Sequence, residues 1–305
     1  MIGFVSETQV KSWLPMWLAL SLTWGFSFLF IKVAGEFLSP YQLSFGRLSL
    51  GGISLAIFVV ATGRKFVTDF YAVKRLAFLG FVGQTIPFTL FAWAELHISS
   101  IAAGLVNSMT ALWTALFAII FLPEEKLNRS RLIGLTIGFF GVLILLGVWD
   151  ANFQGSWTGY LACALATVCY AISGLFTRRQ VSPLKLDPIA AITTQLFFAT
   201  IPVALIAFFT TSAPTQWPVS GVFSMAVLGV FGTGIALALN FELIQRAGAV
   251  ATSTVTYSMP IVATVAGVIF LREKLHWYEP FGAVVALLGI AMVQNLLKPK
   301  FLKTT

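Results

Sequence analysis

Long apolar runs alternate with short polar breaks along the whole chain. Ten runs of spanning length stand out, namely Trp13 to Val33, Pro40 to Thr62, Lys74 to Ala94, Ile98 to Leu122, Arg131 to Trp149, Trp157 to Thr177, Pro188 to Thr210, Pro218 to Phe241, Gly248 to Leu271 and Trp277 to Leu297. Each is near the ~20 residues that a helix rising 1.5 Å per residue needs to cross a hydrocarbon layer about 30 Å thick. The breaks carry charge (GRKFVTDFYAVKR, PEEKLNRSR, RRQVSPLKLD), Gly or Pro (TSAPTQWP), or Asp, Asn and Gly (WDANFQG). They are too short to hold a domain outside the membrane. The pattern predicts an all-α integral membrane protein of ten transmembrane helices, with the lipid bilayer as its surroundings.

Composition excludes a soluble alternative, since 58% of residues are hydrophobic, 10% are charged and the mean hydropathy is +0.91. The net charge of +8 comes from basic residues scattered singly between apolar runs, which make no continuous face for nucleic acid. They act instead as topology signals. With the N-terminus inside, 15 of the 19 Lys and Arg fall on the inner side, only Lys32, Arg272 and Lys274 fall outside, and Arg47 lies within a span. That bias places both termini in the cytoplasm of a bacterial-type inner membrane, with the loop near Asp150 outside. The N-terminal MIGFVSETQVKSW is polar and short, and no small-x-small site follows the first run, so no signal peptide is expected to be removed.

The second half of the sequence repeats the first. At a shift of 148, Ala103, Glu125, Lys126, Leu127, Gly134 and Gly141 fall on Ala251, Glu273, Lys274, Leu275, Gly282 and Gly289, and at 146 WGFSFLFIK (Trp24 to Lys32) falls on YAISGLFTR (Tyr170 to Arg178). Apolar helices match one another by chance, but charged and Gly positions agreeing at one fixed shift argue for duplication. The halves are 13–149 and 157–297. Five spans is an odd number, so the second half is expected to run through the membrane in the opposite sense. Inverted repeats of this kind put a small-molecule path at their interface, near the midplane.

Arg47 is the most informative residue, because a charge about seven residues inside a span costs ~3 kcal/mol unless it is solvated or paired. It either faces a cavity, ready for a carboxylate or phosphate, or snorkels to a helix terminus. Its repeat counterpart at a shift of 148 is Gln195. In the fourth span Ser100, Ala103, Asn107, Thr110 and Thr114 form one helical face, matched in the ninth by Thr252, Thr256, Met259 and Pro260 with Ser253 and Tyr257 alongside. Gln84, Phe88, Phe91 and Glu95 form a face of the third span, and Trp24, Trp93, Trp113 and Tyr170 lie inside spans, whereas Trp13, Trp17, Trp149, Trp157, Trp217 and Trp277 suit an interfacial belt. The expected substrate-binding set is Trp24, Ser27, Arg47, Gln84, Trp93, Asn107, Tyr170, Gln195, Thr256 and Tyr257, with simple interhelical packing as the alternative for each. Gly134 and Gly138, with Gly141, Gly282 and Gly289, mark the fifth and tenth spans as closely packed scaffold.

Catalytic chemistry has no visible residues. Cys163 and Cys169 lie on different helical faces, His97 and His276 fall near span ends, and HExxH, Gly-rich phosphate-loop and Ser-His-Asp patterns are missing, so neither cofactor nor metal is expected. All eleven acidic residues sit in loops or within about a turn of a span end, which favours facilitated or exchange transport and leaves proton coupling to Glu95 or Glu242.

At these residues the chain resembles the drug/metabolite transporter superfamily, in particular its EamA-type ten-helix exporters. The second half carries the closer likeness in Tyr257, Pro260, Glu273, Gly282 and Gly289; the first keeps Glu125, Gly134 and Gly141 but has Leu112 where the Pro would stand. The resemblance spans Trp13 to Asn295 and implies a carrier, exporting in direction, of amino acids or related metabolites, acting as a monomer or homodimer. Nucleotide sugars and cationic drugs are the alternative cargoes, and an integral membrane enzyme acting on lipid-linked substrates is the alternative class.

Overall fold

The computed structural model describes residues 7–121, 129–145, 156–253 and 255–293. Among them all regular structure is helical: α1 Glu7–Gly35, α2 Pro40–Ala61, α3 Phe70–Gly80, α4 Ile86–Ala94, α5 Ser100–Asn107, α6 Met109–Phe121, α7 Arg129–Leu145, α8 Trp157–Phe176, α9 Pro188–Thr210, α10 Val219–Gly229, α11 Ala236–Ala247, α12 Ala249–Ser253, α13 Val255–Phe270 and α14 Tyr278–Val293. A π-helical turn at Phe81–Thr85 joins α3 to α4, and another at Val230–Ile235 joins α10 to α11. Seven stretches are long and apolar enough to cross a membrane, the shortest Ser100–Ala118 and the longest Val219–Ala247. Ser258–Phe270 and Tyr278–Gly289 are shorter apolar helices, and α7 runs for 17 residues. Glu125 and the loop around Asp150 lie outside the described residues.

Helix starts are set locally. Ser39 and Gln42 form a capping box ahead of α2, whose first residue is Pro40. Asp69, Ser99 and Asp187 cap α3, α5 and α9 by accepting from the backbone N–H three residues on. In an apolar surrounding each such bond removes an unsatisfied donor.

Hydrogen bonds between separate helices fix which ends lie together. At one end Lys32 Nζ donates to the carbonyls of Glu95 (2.5 Å) and Ile98 (3.2 Å), Gln42 Nε2 donates to Ser212 O (2.6 Å), and Ser156 N donates to His97 O (3.3 Å). At the other end Arg64 pairs with Asp187, Arg179 donates to Phe121 O (3.2 Å), and Gln245 donates to Leu186 O (3.3 Å). These are called the Lys32 end and the Asp187 end below.

Between the ends, α2 packs on α9, α7 on α14, α1 on α13 and α10, and α8 on α4 and α6. Glycines permit the closest approaches. A Cβ added at Gly289 would lie 2.3 Å from Gly138 N, and one at Gly141 would lie 2.3 Å from Ala286 N, so α7 and α14 touch backbone to backbone. Buried Leu20, Phe28, Phe91, Cys163 and Met259 belong to a core shared by α1, α4, α8 and α13. A second core joins α2, α3 and α9 through Leu48, Leu76 and Leu196. The outer surface is apolar instead: Val219 is 85% exposed, Phe208 80% and Ile57 63%. Trp157, Trp217 and Trp277 are exposed beside the helix starts, where an interfacial belt would place them.

Candidate functional site

A central cavity of about 130 Å³ lies between the two cores. Its wall runs from Thr177, Ile244 and Ala249 on the Asp187 side to Ile31 and Phe91 on the Lys32 side. α2 contributes Arg47, which is 4% exposed. Its Nε donates to Thr233 Oγ1 at 3.1 Å, and its guanidinium lies 3.8 Å from the centroid of the Phe88 ring. A desolvated cation on an aromatic face gains ~2 kcal/mol, which offsets part of the ~3 kcal/mol burial cost. Among the described residues no carboxylate comes within ion-pair distance of Arg47.

Gln195 on α9 is the sequence counterpart of Arg47, and its Nε2 donates to Gln84 Oε1 at 2.6 Å. The two contacts correspond. Arg47 reaches the π-helical turn between α10 and α11, and Gln195 reaches the one between α3 and α4. Ser27 and Ser173 repeat the pattern, since a Cβ at Gly232 would lie 2.9 Å from Ser27 Oγ and one at Gly83 would lie 2.3 Å from Ser173 Oγ. Trp24 Nε1 donates to Gly232 O at 3.2 Å, and Tyr170 stacks on Phe91 with centroids 5.9 Å apart. Gln195 Oε1, Asn107 Oδ1 and Thr110 Oγ1 are buried without a partner among the described residues although their residues line the cavity. A polar solute would satisfy them, which is the usual resolution for such atoms in a native protein.

Eight expected residues line this one cavity: Trp24, Ser27, Arg47, Gln84, Asn107, Tyr170, Gln195 and Thr256. Trp93 does not. It follows Phe91 by two residues, which turns it to the far side of α4, where its ring lies against His97 with centroids 4.2 Å apart. Tyr257 lies on α13 with its side chain outside the described set. Sequence reasoning missed Thr233, Asn240 and Thr177. Asn240 carried a readable signal, because Leu237, Asn240, Phe241 and Ile244 are spaced as one helical face and all four line the cavity. Among the described residues no group of three or more His, Cys, Asp or Glu is placed to hold a metal ion.

Comparison with known proteins agrees with this architecture. The model of the EamA-like transporter family matches the chain twice, over residues 11–147 and 157–294. An uncharacterized transporter of Archaeoglobus fulgidus is 27% identical over 281 residues, covering 91% of this chain and 98% of the relative. The uncharacterized inner membrane transporter YedA of Escherichia coli is 22% identical over 277 residues, covering 90% and 88%. A protein of known crystal structure superposes with a TM-score of 0.71 at 21% identity, over 96% of this chain and 99% of that one, a likeness of fold. The chain is a multi-pass membrane protein and belongs to the EamA-like transporter family.

Proposed function

We propose that the protein exports small metabolites that carry an acid group, amino acids foremost, by alternating access between two inverted five-helix repeats. The observation that carries this reading is Arg47, a buried cation in the wall of a central cavity with no carboxylate partner among the described residues. A substrate carboxylate would give it a charge-assisted, two-pronged partner. Trp24, Phe88, Phe91 and Tyr170 offer ring faces to an apolar side chain, and the unpartnered oxygens of Asn107, Thr110 and Gln195 accept hydrogens from an ammonium group. Cationic drugs fit less well, because the cavity wall holds an unpaired cation and no acid. Nucleotide sugars stay as the second reading, with a phosphate on Arg47.

Support for inversion comes from the crossed packing of counterparts: α2 on α9, α7 on α14, and α1 on α13 as α8 on α6. Support for orientation comes from the Asp187 end, which carries Arg64, Lys65, Arg178, Arg179 and Lys185 and is therefore assigned to the cytoplasm with both termini.

The test is a ligand panel of amino acids, nucleotide sugars and organic cations, read as thermal shifts of the purified protein, since a ligand that binds only the folded state raises apparent stability. Shifts confined to amino acids are expected. Shifts confined to organic cations would reject the assignment of Arg47 as the substrate anchor.

A further inference from the structure

Beyond the Lys32 side of the cavity, one turn past Phe91, α4 finishes on Glu95. The residue is 2% exposed, and neither carboxyl oxygen has a hydrogen-bond partner among the described residues. Nearby acids are treated differently. Glu273 accepts from Ser100 N, Ser100 Oγ and Ile101 N at 2.8, 2.9 and 3.0 Å, and Glu279 accepts from His276 N at 2.8 Å. Lys32 comes close to Glu95 but directs its ammonium at the main-chain carbonyls of Glu95 and Ile98, not at the carboxyl group. An ionised carboxylate sealed away from water without a single donor is strongly disfavoured, whereas the neutral acid is tolerated.

The charged and titratable groups facing Glu95 are Lys32 from α1, Arg47 from α2, Cys163 from α8 and Glu273 from the segment after α13. Burial pushes the carboxyl well above its usual range, with Lys32 opposing, Glu273 adding to the rise and Arg47 opposing.

We propose that Glu95 is a proton-binding site linked to the state of the Lys32 end: it holds its proton while α1, α4, α5 and the Glu273 segment close over it, and releases that proton to water when they part. This rests on the alternating-access reading, in which the Lys32 end opens in the other half of the cycle. The sign follows from proton counts. Between the ordinary carboxyl pKa of ~4.3 and the raised value, the closed form binds one proton more than the open form. Each unit of rising pH in that window therefore favours opening by up to about tenfold, and acid favours closure.

The test uses the full chain in right-side-out membrane vesicles, with Cys163→Ala and Cys169→Ala removing the native thiols. Ile31→Cys, at a buried position of the Lys32 end, is exposed to a membrane-impermeant maleimide between pH 5 and 9. The reagent is added on the side where an exposed Ala213→Cys control labels, and rates are normalised to that control. Labelling should climb with pH. Glu95→Gln should hold it low and flat, and Glu95→Asp should restore the slope. Labelling that is measurable but independent of pH, or a Glu95→Gln profile that copies the parent's, would overturn the proton site and leave alternating access standing. No labelling at any pH would overturn both.

Discussion

The α7–α14 and α2–α9 contacts each join helices that hold corresponding places in the two halves of the sequence, yet they are built for opposite purposes. α7 and α14 meet through main chain at Gly138, Gly141 and Gly289, leaving no room between them. α2 and α9 meet less closely, a Cβ at Gly52 lying an ordinary 3.5 Å from Leu196 Cβ, and they carry Arg47 and Gln195 in the cavity wall. Small residues exclude space and fix geometry, whereas long polar side chains over an apolar floor keep a cavity and give it chemistry. The two halves supply matching helices, and the Arg47-for-Gln195 difference puts a cation on one side of the centre only.

Changing that difference has the largest expected effect. Arg47→Gln should lower uptake of an acid-bearing substrate into proteoliposomes by about 30-fold or more, which corresponds to ~2 kcal/mol of lost interaction. Its folded yield should stay near the parent's, because Arg47 has no ion-pair partner among the described residues to orphan. Arg47→Lys, which keeps the charge without the planar fork, should fall between the two. Equal uptake by all three at matched folded protein would make Arg47 a structural residue.

How much of this was legible in the sequence depends on whether misplacement of a residue carries a physical cost. Apolar run lengths mark the spans because a bilayer demands them, and Arg47, Gln84, Asn107 and Gln195 mark the cavity because lipid would leave them unsatisfied. Trp93 lies off the cavity although it was expected there, because an indole is tolerated in a core, at an interface or in a cavity and its presence in a span does not decide its face. The π-helical turns at Phe81–Thr85 and Val230–Ile235 left no mark, since their hydrogen-bond shift depends on the helices packed against them. Thr233, which holds Arg47, was missed with them, although it stands 148 residues after Thr85 and falls within the repeat.

The scaffold side of the contrast is tested by Gly289→Val. A side chain there meets Gly138 N and Gly134 O at 2.3 and 2.5 Å, both backbone atoms that cannot swing away. Overpacking of this kind costs ~1–3 kcal/mol, so thermal stability in detergent should drop while the surviving folded fraction binds ligand with unchanged affinity. A loss of affinity at full stability would show that α14 shapes the cavity.

Gln195→Leu should act more weakly than either. It removes the donor to Gln84 and one cavity acceptor, with an expected cost of ~1 kcal/mol, or about fivefold in substrate affinity by titration calorimetry. An effect as large as that of Arg47→Gln would make the site two-handed. Trp93→Phe, outside the cavity, should change uptake by less than about twofold, within the usual range for substitutions away from special features.

The most direct measurement compares an acid that binds in the panel with its methyl ester, each titrated as a thermal shift against the parent protein and Arg47→Gln. If Arg47 receives the carboxylate, the acid shifts the parent far more than the ester does, and the two ligands become equivalent on Arg47→Gln. An acid-over-ester preference that survives intact in Arg47→Gln would contradict the account.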